Sequence, residues 1–360
     1  MCPPGVDQTM RTAQRWQLIA PRIKQSKPLD TDERVWSTSI HDAVFNPKGV
    51  FDAWSKLAQP VIPSTSAKAT PSPSASTAEA NKHTVRSGME KLPVELMLMI
   101  LESGDLSKSD IMALALASPA LRPIIISHIR SSYMKVAAPW AGTPIAVLGN
   151  YSLDLPPSFM EDGEVFETFA TWPQVQATTP RWRRPKNPAR RYFWRCAEFS
   201  KPVTPQTEEQ GWTDALTELG NQNTHYSLEE IGDIDDQLSR SILFPEDKEW
   251  VLRNLTSKEY YVPQPFPKAR NKPRTRLSSF NHYPNEIVET ARPDVLGFDH
   301  VLLLRTCWTS IYGRSERKGK WAGHCFDIVT ADAFDQEGRE GWVDVSKKLL
   351  KEAKVYWDGA

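Results

Sequence analysis

The segment 91–125 concentrates large apolar side chains to a degree that limits what the chain can fold into. Residues 96–101 are six consecutive apolar residues, which point in every direction around a helix. A helix that buries one side against a core needs only an apolar stripe. The stretch 111–117 is similarly rich in apolar residues. We therefore expect helices whose second face is covered by something beyond the core of this segment.

Local signals divide this segment into three helices. Pro93 suits a first helical turn, and Gly104 suits a helix end. Ser107, followed three residues later by Asp110, is close to a capping box and predicts the start of a second helix. The predicted helices span about 93–103, about 108–118, and a third stretch that carries Ile124, Ile125, Ile126, Ile129 and Tyr133.

Composition bounds the class of protein. The chain has 360 residues, with 44 basic and 44 acidic side chains, so no global charge favours nucleic acid or an anionic membrane as a partner. No apolar run reaches the roughly 18 residues of a membrane span, and the start of the sequence has no signal-like apolar stretch. We therefore expect no membrane association and a cytoplasmic or nuclear location. The four cysteines, Cys2, Cys196, Cys307 and Cys325, form no disulfide framework.

Composition also predicts an α+β fold in three parts. Residues 1–88 are expected to be mostly disordered, because their Pro/Ser-rich stretch 59–88 cannot bury enough apolar surface. A short helix with Trp54 and Leu57 would either dock on a partner or, more plainly, pack on the body of the protein. Residues 89–135 hold the three short helices. Residues 136–360 are rich in aromatic side chains and are expected to form a larger mixed α/β domain.

Patterns in the C-terminal region predict individual elements. Apolar spacings of three and four residues predict helices over 227–242 and 245–261. Stretches rich in aliphatic, β-branched and aromatic residues predict strands over 300–312 and 319–331, which could pair as a hairpin. The stretch 190–200 is a further strand candidate.

Twelve residues of the segment 91–135 have a characteristic order and spacing: Leu92, Pro93, Glu95, Leu96, Ile100, Leu101, Leu106, Asp110, Ile111, Leu114, Ala115 and Ser118. In this order and spacing the segment resembles an F-box. The Trp that often follows the Ser position of that family is absent, and Leu121 stands in its neighbourhood. Stretches 245–261 and "WAGHCFDI" resemble sequence that recurs behind the F-box in fungal F-box proteins of unassigned target.

The resemblance implies three short helices that dock on a Skp-type adaptor and, through it, on a cullin-RING ubiquitin ligase. We therefore expect a non-catalytic substrate receptor of an SCF-type ligase, with a C-terminal domain that captures an unidentified protein target. Docking would cover the surplus of apolar side chains, since about 45 residues cannot bury them all. Packing of the helices on the chain's own C-terminal part remains an alternative. The residues expected to contact the adaptor are Leu92, Pro93, Leu96, Ile100, Leu101, Ile111, Leu114, Ala115 and Leu121.

The basic run 181–195 is a candidate target-binding segment, because it interleaves arginine with aromatic residues. Such a run can bind an acidic or phosphorylated peptide, grip nucleic acid, or remain a solvated loop. A rival function follows from the nucleic-acid alternative, in which a nucleic-acid-associated or scaffold protein uses its F-box outside a ligase. The loop 313–320 is a second basic candidate. The proposed target-binding residues are Arg183, Arg184, Arg190, Arg191, Arg314 and Arg317.

The P-loop, dinucleotide-binding, HExxH and GxSxG motifs are absent, and we expect no enzymatic activity and no cofactor. His300, Cys307, His324 and Cys325 lie near one another in sequence but lack metal-ligand spacing. His324 and Cys325 would point to opposite faces of a strand, so we expect no metal site.

Overall fold

The chain forms two compact units, each assembled from separate stretches of sequence. Unit 1 comprises Met1–Gln59, Ala138–Pro202 and Lys248–Ala360, and unit 2 comprises Pro60–Ala137 and Val203–Asp247. The computed structural model describes residues 16–29, 52–61, 88–149, 152, 154–171, 196, 198–221, 226–266, 275–277, 287–289, 294–309 and 317–359.

The α+β class predicted from the sequence is confirmed, with helices and a mixed sheet. Among the described residues, no helix combines the length and apolar character that crossing a membrane requires. The helices are α1 (Ala53–Leu57), α2 (Val94–Glu102), α3 (Lys108–Ala117), α4 (Arg122–Val136), α5 (Pro157–Glu161), α6 (Gly163–Thr171), α7 (Pro205–Asn221), α8 (Leu228–Leu238), α9 (Phe298–Thr306), α10 (Ala331–Glu337) and α11 (Ser346–Gly359).

The strands are short, and all lie in unit 1. They are β1 (Trp16–Ala20), β2 (Gln25–Pro28), β3 (Pro144–Gly149), β4 (Trp250–Asn254), β5 (Glu259–Tyr261), β6 (Gln264–Pro265), β7 (Thr275–Leu277), β8 (Ile287–Glu289), β9 (Val295–Leu296), β10 (Cys307–Thr309), β11 (Arg317–Lys318), β12 (His324–Thr330) and β13 (Val343–Asp344).

Strand β3 lies inside the main sheet of unit 1, in which hydrogen-bonded neighbours follow the order β11-β10-β3-β12-β4-β5-β13. It pairs antiparallel with β1 and β12 and parallel with β10, and every one of its residues is buried. One side of the sheet is packed by a core that draws on five separate stretches of sequence: Ile19, Ala146, Leu148, Leu155, Phe159, Val165, Phe169, Cys196, Phe199, Trp308 and Ala322.

A buried ion pair stabilises the register of β12 against β4, in which Asp327 lies opposite Arg253. The Arg253 guanidinium donates to both carboxylate oxygens of Asp327, at 2.9 and 2.6 Å. Both side chains are buried, so a forked arrangement that satisfies both oxygens is needed to offset their desolvation.

Two stretches of the N-terminal region belong to unit 1, although residues 1–88 were predicted to be mostly disordered. Strand β1 is fully buried, so it lacks the polar alternation by which a strand is recognised in sequence.

Helix α1 packs on the body of unit 1, as its plainer interpretation held. Leu57 is buried, Trp54 meets Trp250 edge to face at 4.5 Å, and the Gln59 N–H donates to the Ile328 carbonyl at 2.8 Å.

Two predictions for the C-terminal region were wrong. The stretch 245–261, expected to be helical, forms the antiparallel pair β4–β5, because β4 is buried throughout and its apolar residues imitate a helical spacing. The stretch 300–312, expected to be a strand, begins as α9 and becomes strand only at Cys307. Helix α9 buries most of its surface and therefore shows no amphipathic stripe.

The remaining predictions for this region met mixed outcomes. The strand expected over 319–331 is confirmed as β12, but it pairs with β3 and β4. The antiparallel partner of β10 is instead the short strand β11, which precedes β12. The helix expected over 227–242 is confirmed as α8, with a capping box between Ser227 and Glu230. Of the strand candidate 190–200, residues 190–195 and 197 lie outside the described part, and Ser200 forms a bridge to Gln25.

Unit 2 is a set of packed helices drawn from both of its stretches. Helices α2, α3 and α4 match the three predicted from the sequence, and α3 carries the expected capping box between Ser107 and Asp110. Helix α7 packs on α3 and α4, and α8 packs on α4 and α7. The stretch 203–247 therefore groups with the helices of the segment 91–135 in unit 2.

We predict that Gly319→Ala destabilises unit 1 by about 3 kcal/mol, because overpacking forces the backbone apart. A Cβ atom at Gly319 would lie 2.1 Å from the carbonyl oxygen of Arg305 and 2.9 Å from that of Cys307. Urea denaturation followed by tryptophan fluorescence measures the change. Gly163→Ala is the control, since a Cβ atom there meets nothing within 4 Å. Equal midpoints for the two variants would contradict the prediction.

We also predict that Lys56 makes stability depend on pH. Its side chain is buried and donates to the Asp52 carbonyl at 2.9 Å, and burial lowers its pKa from 10.5 to about 8. Between these values the unfolded chain binds more protons, so stability rises with pH from about 8 towards 10.5. Lys56→Met should remove this rise and, below pH 8, stabilise the protein by about 3 kcal/mol.

The difference in unfolding free energy between wild type and Lys56→Met, measured by urea denaturation at several pH values, isolates the contribution of this lysine. Lys347→Met, at an exposed lysine of α11, is the matched control and should leave the pH profile unchanged. If the difference in unfolding free energy between wild type and Lys56→Met stays constant between pH 8 and 10, the lysine is not held in a desolvated site.

Candidate protein-docking surface

Residues 88–93 form a short arm that leads into α2. The arm contains the 3-10 helix Met89–Lys91, which ends where the Leu92 N–H donates to the Met89 carbonyl at 3.1 Å. Pro93 follows as the N-cap in an extended conformation, one residue before its predicted place in the first turn. Its carbonyl accepts the N–H of Met97 at 3.1 Å, so the proline begins α2 while its ring fixes the direction of the arm.

The arm and α2 expose four large apolar side chains, which we call the α2 patch. Leu92 is 36% exposed, Val94 48%, Leu96 46% and Met99 66%. Leu96 and Met99 lie three residues apart and therefore share one face of the helix. The opposite face is the one that unit 2 covers, since Met97 and Leu101 are buried. A surface helix normally turns its apolar side inward, so this outer face is unusual for a free protein.

Charged side chains surround the α2 patch. Lys91, Glu95 and Glu102 are exposed, and Glu102 pairs with Lys135 at 3.4 Å. An apolar centre with a charged rim is the usual anatomy of a protein–protein interface.

The residues predicted to contact the adaptor are exposed, half-buried or buried in the structure. Leu92, Pro93 and Leu96 are exposed, while Ile100 and Leu114 are half-buried. The side chains of the other four are buried in the chain: Leu101 (4% exposed), Ile111 (4%), Ala115 (0%) and Leu121 (4%).

Helix α7 explains why α3 and α4 have so little free apolar surface. At its N-terminal end, Glu208 Oε1 accepts hydrogen bonds from Lys108 Nζ of α3 at 3.0 Å and Trp212 Nε1 of α7 at 3.1 Å. It also lies 3.3 Å from Ser132 Oγ of α4, whose proton is donated to the Ile129 carbonyl at 2.7 Å. The Lys108 ammonium lies 4.8 Å from the centre of the Trp212 ring. The chain's own C-terminal part thus covers these helices, which was the alternative left open, while the outer face of α2 stays exposed.

Sequence analysis missed Val94 and Met99 as surface residues. The apolar run 96–101 contains no polar residue to mark which side of the helix faces outward. The helical spacing of three between Leu96 and Met99 was the available signal, once Leu96 was assigned to the docking face.

The candidate target-binding residues lie mostly outside the described part of the chain. Arg183, Arg184, Arg190, Arg191 and Arg314 are in this group, and Arg317 lies in β11. Its neighbour Lys318 donates to Asp154 at 3.1 Å and lies 5.4 Å from the centre of the Trp308 ring.

The histidines considered for metal binding have structural partners. His300 Nδ1 accepts the Gly297 N–H at 3.2 Å, and His324 Nδ1 lies 3.0 Å from the Asn254 side-chain nitrogen. Burial lowers the pKa of both imidazoles, which favours their neutral forms. Within the described ranges, no three His, Cys, Asp or Glu side chains are grouped as a metal site requires.

Comparisons with protein-family models, with curated proteins and with solved structures give no match to this chain.

The division of α2 into a covered and a free face predicts opposite responses to truncation. Leu101→Ala should destabilise unit 2 by about 3 kcal/mol, because it opens a cavity in a packed core. Met99→Ala should change stability by no more than about 0.5 kcal/mol, since its side chain is largely in solvent. Thermal or urea denaturation compares the two. A loss at Met99 equal to that at Leu101 would mean that the patch is part of the core.

Proposed function

We propose that this protein is a non-catalytic substrate receptor of an SCF-type ubiquitin ligase, in which the arm and α2 dock on a Skp-type adaptor. The observation that carries the proposal is the α2 patch. It lies within the segment that resembles an F-box, and it presents apolar side chains where a free helix would present polar ones.

Burial of the α2 patch by a partner would supply the driving force for docking. Each large apolar side chain contributes roughly 1.5–3 kcal/mol when it moves fully from water into a packed interface. The gain on docking is smaller here, because these side chains are about one third to two thirds exposed and folding has already buried the rest of their surface. Docking of one helix face into an apolar groove is a common mode of recognition, and its anchors follow helical spacing, as Leu96 and Met99 do.

The covering of α3 and α4 by α7 limits how much of the segment takes part in docking. In this proposal the adaptor contacts the arm and the outer face of α2, with the half-buried Ile100 and Leu114 available at the border. Leu101, Ile111, Ala115 and Leu121 support the surface from beneath, because they fill the core against which α2, α3 and α4 pack.

Capture of a protein target is assigned in this proposal to unit 1 and to the basic run 181–195. Forked, charge-assisted contacts from arginine would recognise an acidic or phosphorylated peptide. The proposal places the protein in the cytoplasm or the nucleus.

We predict that the double substitution Leu96→Glu/Met99→Glu lowers the affinity for a Skp-type adaptor at least about tenfold, because carboxylates would be desolvated in an apolar interface. Binding of the purified full-length chain to the adaptor, measured by calorimetry, gives the change. Val203→Glu is the matched control, since Val203 is an equally exposed apolar residue of unit 2 outside the patch.

Adaptor binding at wild-type strength by the double variant, with the fold intact by circular dichroism, would contradict the proposal. The rival function predicts a different result. A nucleic-acid-associated protein would bind an oligonucleotide with an affinity that falls steeply as salt rises, whereas binding through the α2 patch depends little on salt.

A further inference from the structure

A short hydrogen bond ties the arm to the turn between α3 and α4. The Ser118 hydroxyl donates to Glu90 Oε1 at 2.5 Å, and Ser118 is buried. Hydroxyl–carboxylate bonds of this length are charge-assisted and belong to the stronger class of protein hydrogen bonds. Ser118 is also one of the residues that carries the F-box resemblance, yet its buried side chain is not itself a docking surface.

Hydrogen bonds to the ends of α3 and α4 hold Ser118 in place. Its N–H donates to the Leu114 carbonyl at 3.1 Å, which ends α3. Its hydroxyl oxygen accepts the Leu121 N–H at 3.3 Å, and its carbonyl accepts the N–H groups of Leu121 and Arg122 at 3.1 Å each. The serine is therefore held by both helices, and whatever bonds to its hydroxyl takes its position from them.

The arm itself is only partly packed. None of the three residues of the 3-10 helix Met89–Lys91 is buried, and Leu92 and Pro93 are exposed. Ordering a chain segment costs roughly 1–2 kcal/mol per residue in backbone entropy. Polar contacts must offset much of this cost, and the bond from Glu90 to a buried hydroxyl is suited to do so.

We infer that Ser118 and Glu90 are positioning residues for docking: their hydrogen bond fixes the arm, so that Leu92 and Pro93 meet the partner already ordered. This inference rests on the proposed function, because it concerns the same docking surface. A partner that binds an ordered arm does not have to order it, and affinity rises by the amount saved. Loss of the bond should weaken docking while the apolar contacts themselves remain present.

The test measures adaptor affinity and arm order in the full-length chain. Ser118→Ala and Glu90→Ala should each weaken binding to a purified Skp-type adaptor about tenfold and speed hydrogen exchange at the Leu92 amide. Glu90→Gln keeps an acceptor oxygen and should restore most of the affinity. The double variant should bind no more weakly than either single one, since both remove the same bond.

Ser109→Ala is the matched control. It removes an exposed serine–glutamate bond of 2.8 Å, to Glu218, without touching the arm, and should leave adaptor affinity unchanged. Should Ser118→Ala unfold unit 2, Glu90→Ala carries the test, because Glu90 lies in the arm and outside the core.

Each result bears on the inference in a defined way. Weaker binding and faster exchange in Ser118→Ala and Glu90→Ala, with recovery in Glu90→Gln, support it. Wild-type affinity in Glu90→Ala, in a chain whose wild type binds the adaptor, overturns the inference and leaves the proposed function standing. Failure of the wild-type chain to bind the adaptor overturns both.

Discussion

The carboxylate of Glu208 is the interaction on which the arrangement of unit 2 depends. One oxygen accepts hydrogen bonds from a lysine of α3 and a tryptophan of its own helix α7 and lies 3.3 Å from a serine hydroxyl of α4, so three helices meet at a single charged atom. A partly buried carboxylate is satisfied only when its donors are in place, so this contact favours one arrangement of the three helices. It holds α7 over α3 and α4 and thereby decides which apolar faces of the chain remain free.

This covering changes the interpretation of the F-box-like segment. An isolated three-helix element would present apolar residues from all three helices, whereas here α3 and α4 are largely occupied by the chain's own residues 203–247. The free apolar surface is reduced to the arm and the outer face of α2. The segment is therefore not a self-contained module at the start of a larger domain, since part of its core comes from about a hundred residues further along the chain.

The same interleaving shapes unit 1, where β3 joins strands from the beginning and the end of the sequence. The first and last thirds of the chain must meet before this sheet is complete, and such non-local pairing is costly in loop entropy. Residues 16–20, which have no alternating pattern, become a fully buried strand only because β2 and β3 are present on either side.

Local interactions are what the sequence by itself determined. The capping box at Ser107 and the helix end before Gly104 were predictable, because each depends on residues within a few positions of one another. Tertiary structure decided the rest. The stretch 245–261 became strands because β12 supplied hydrogen-bond partners along β4, and its apolar spacing alone could not distinguish a buried strand from a helix. Likewise, nothing within 91–125 shows that Ile111 and Ala115 are core while Val94 and Met99 are surface, since α7, the helix that packs on α3, is distant in sequence and all four residues are apolar.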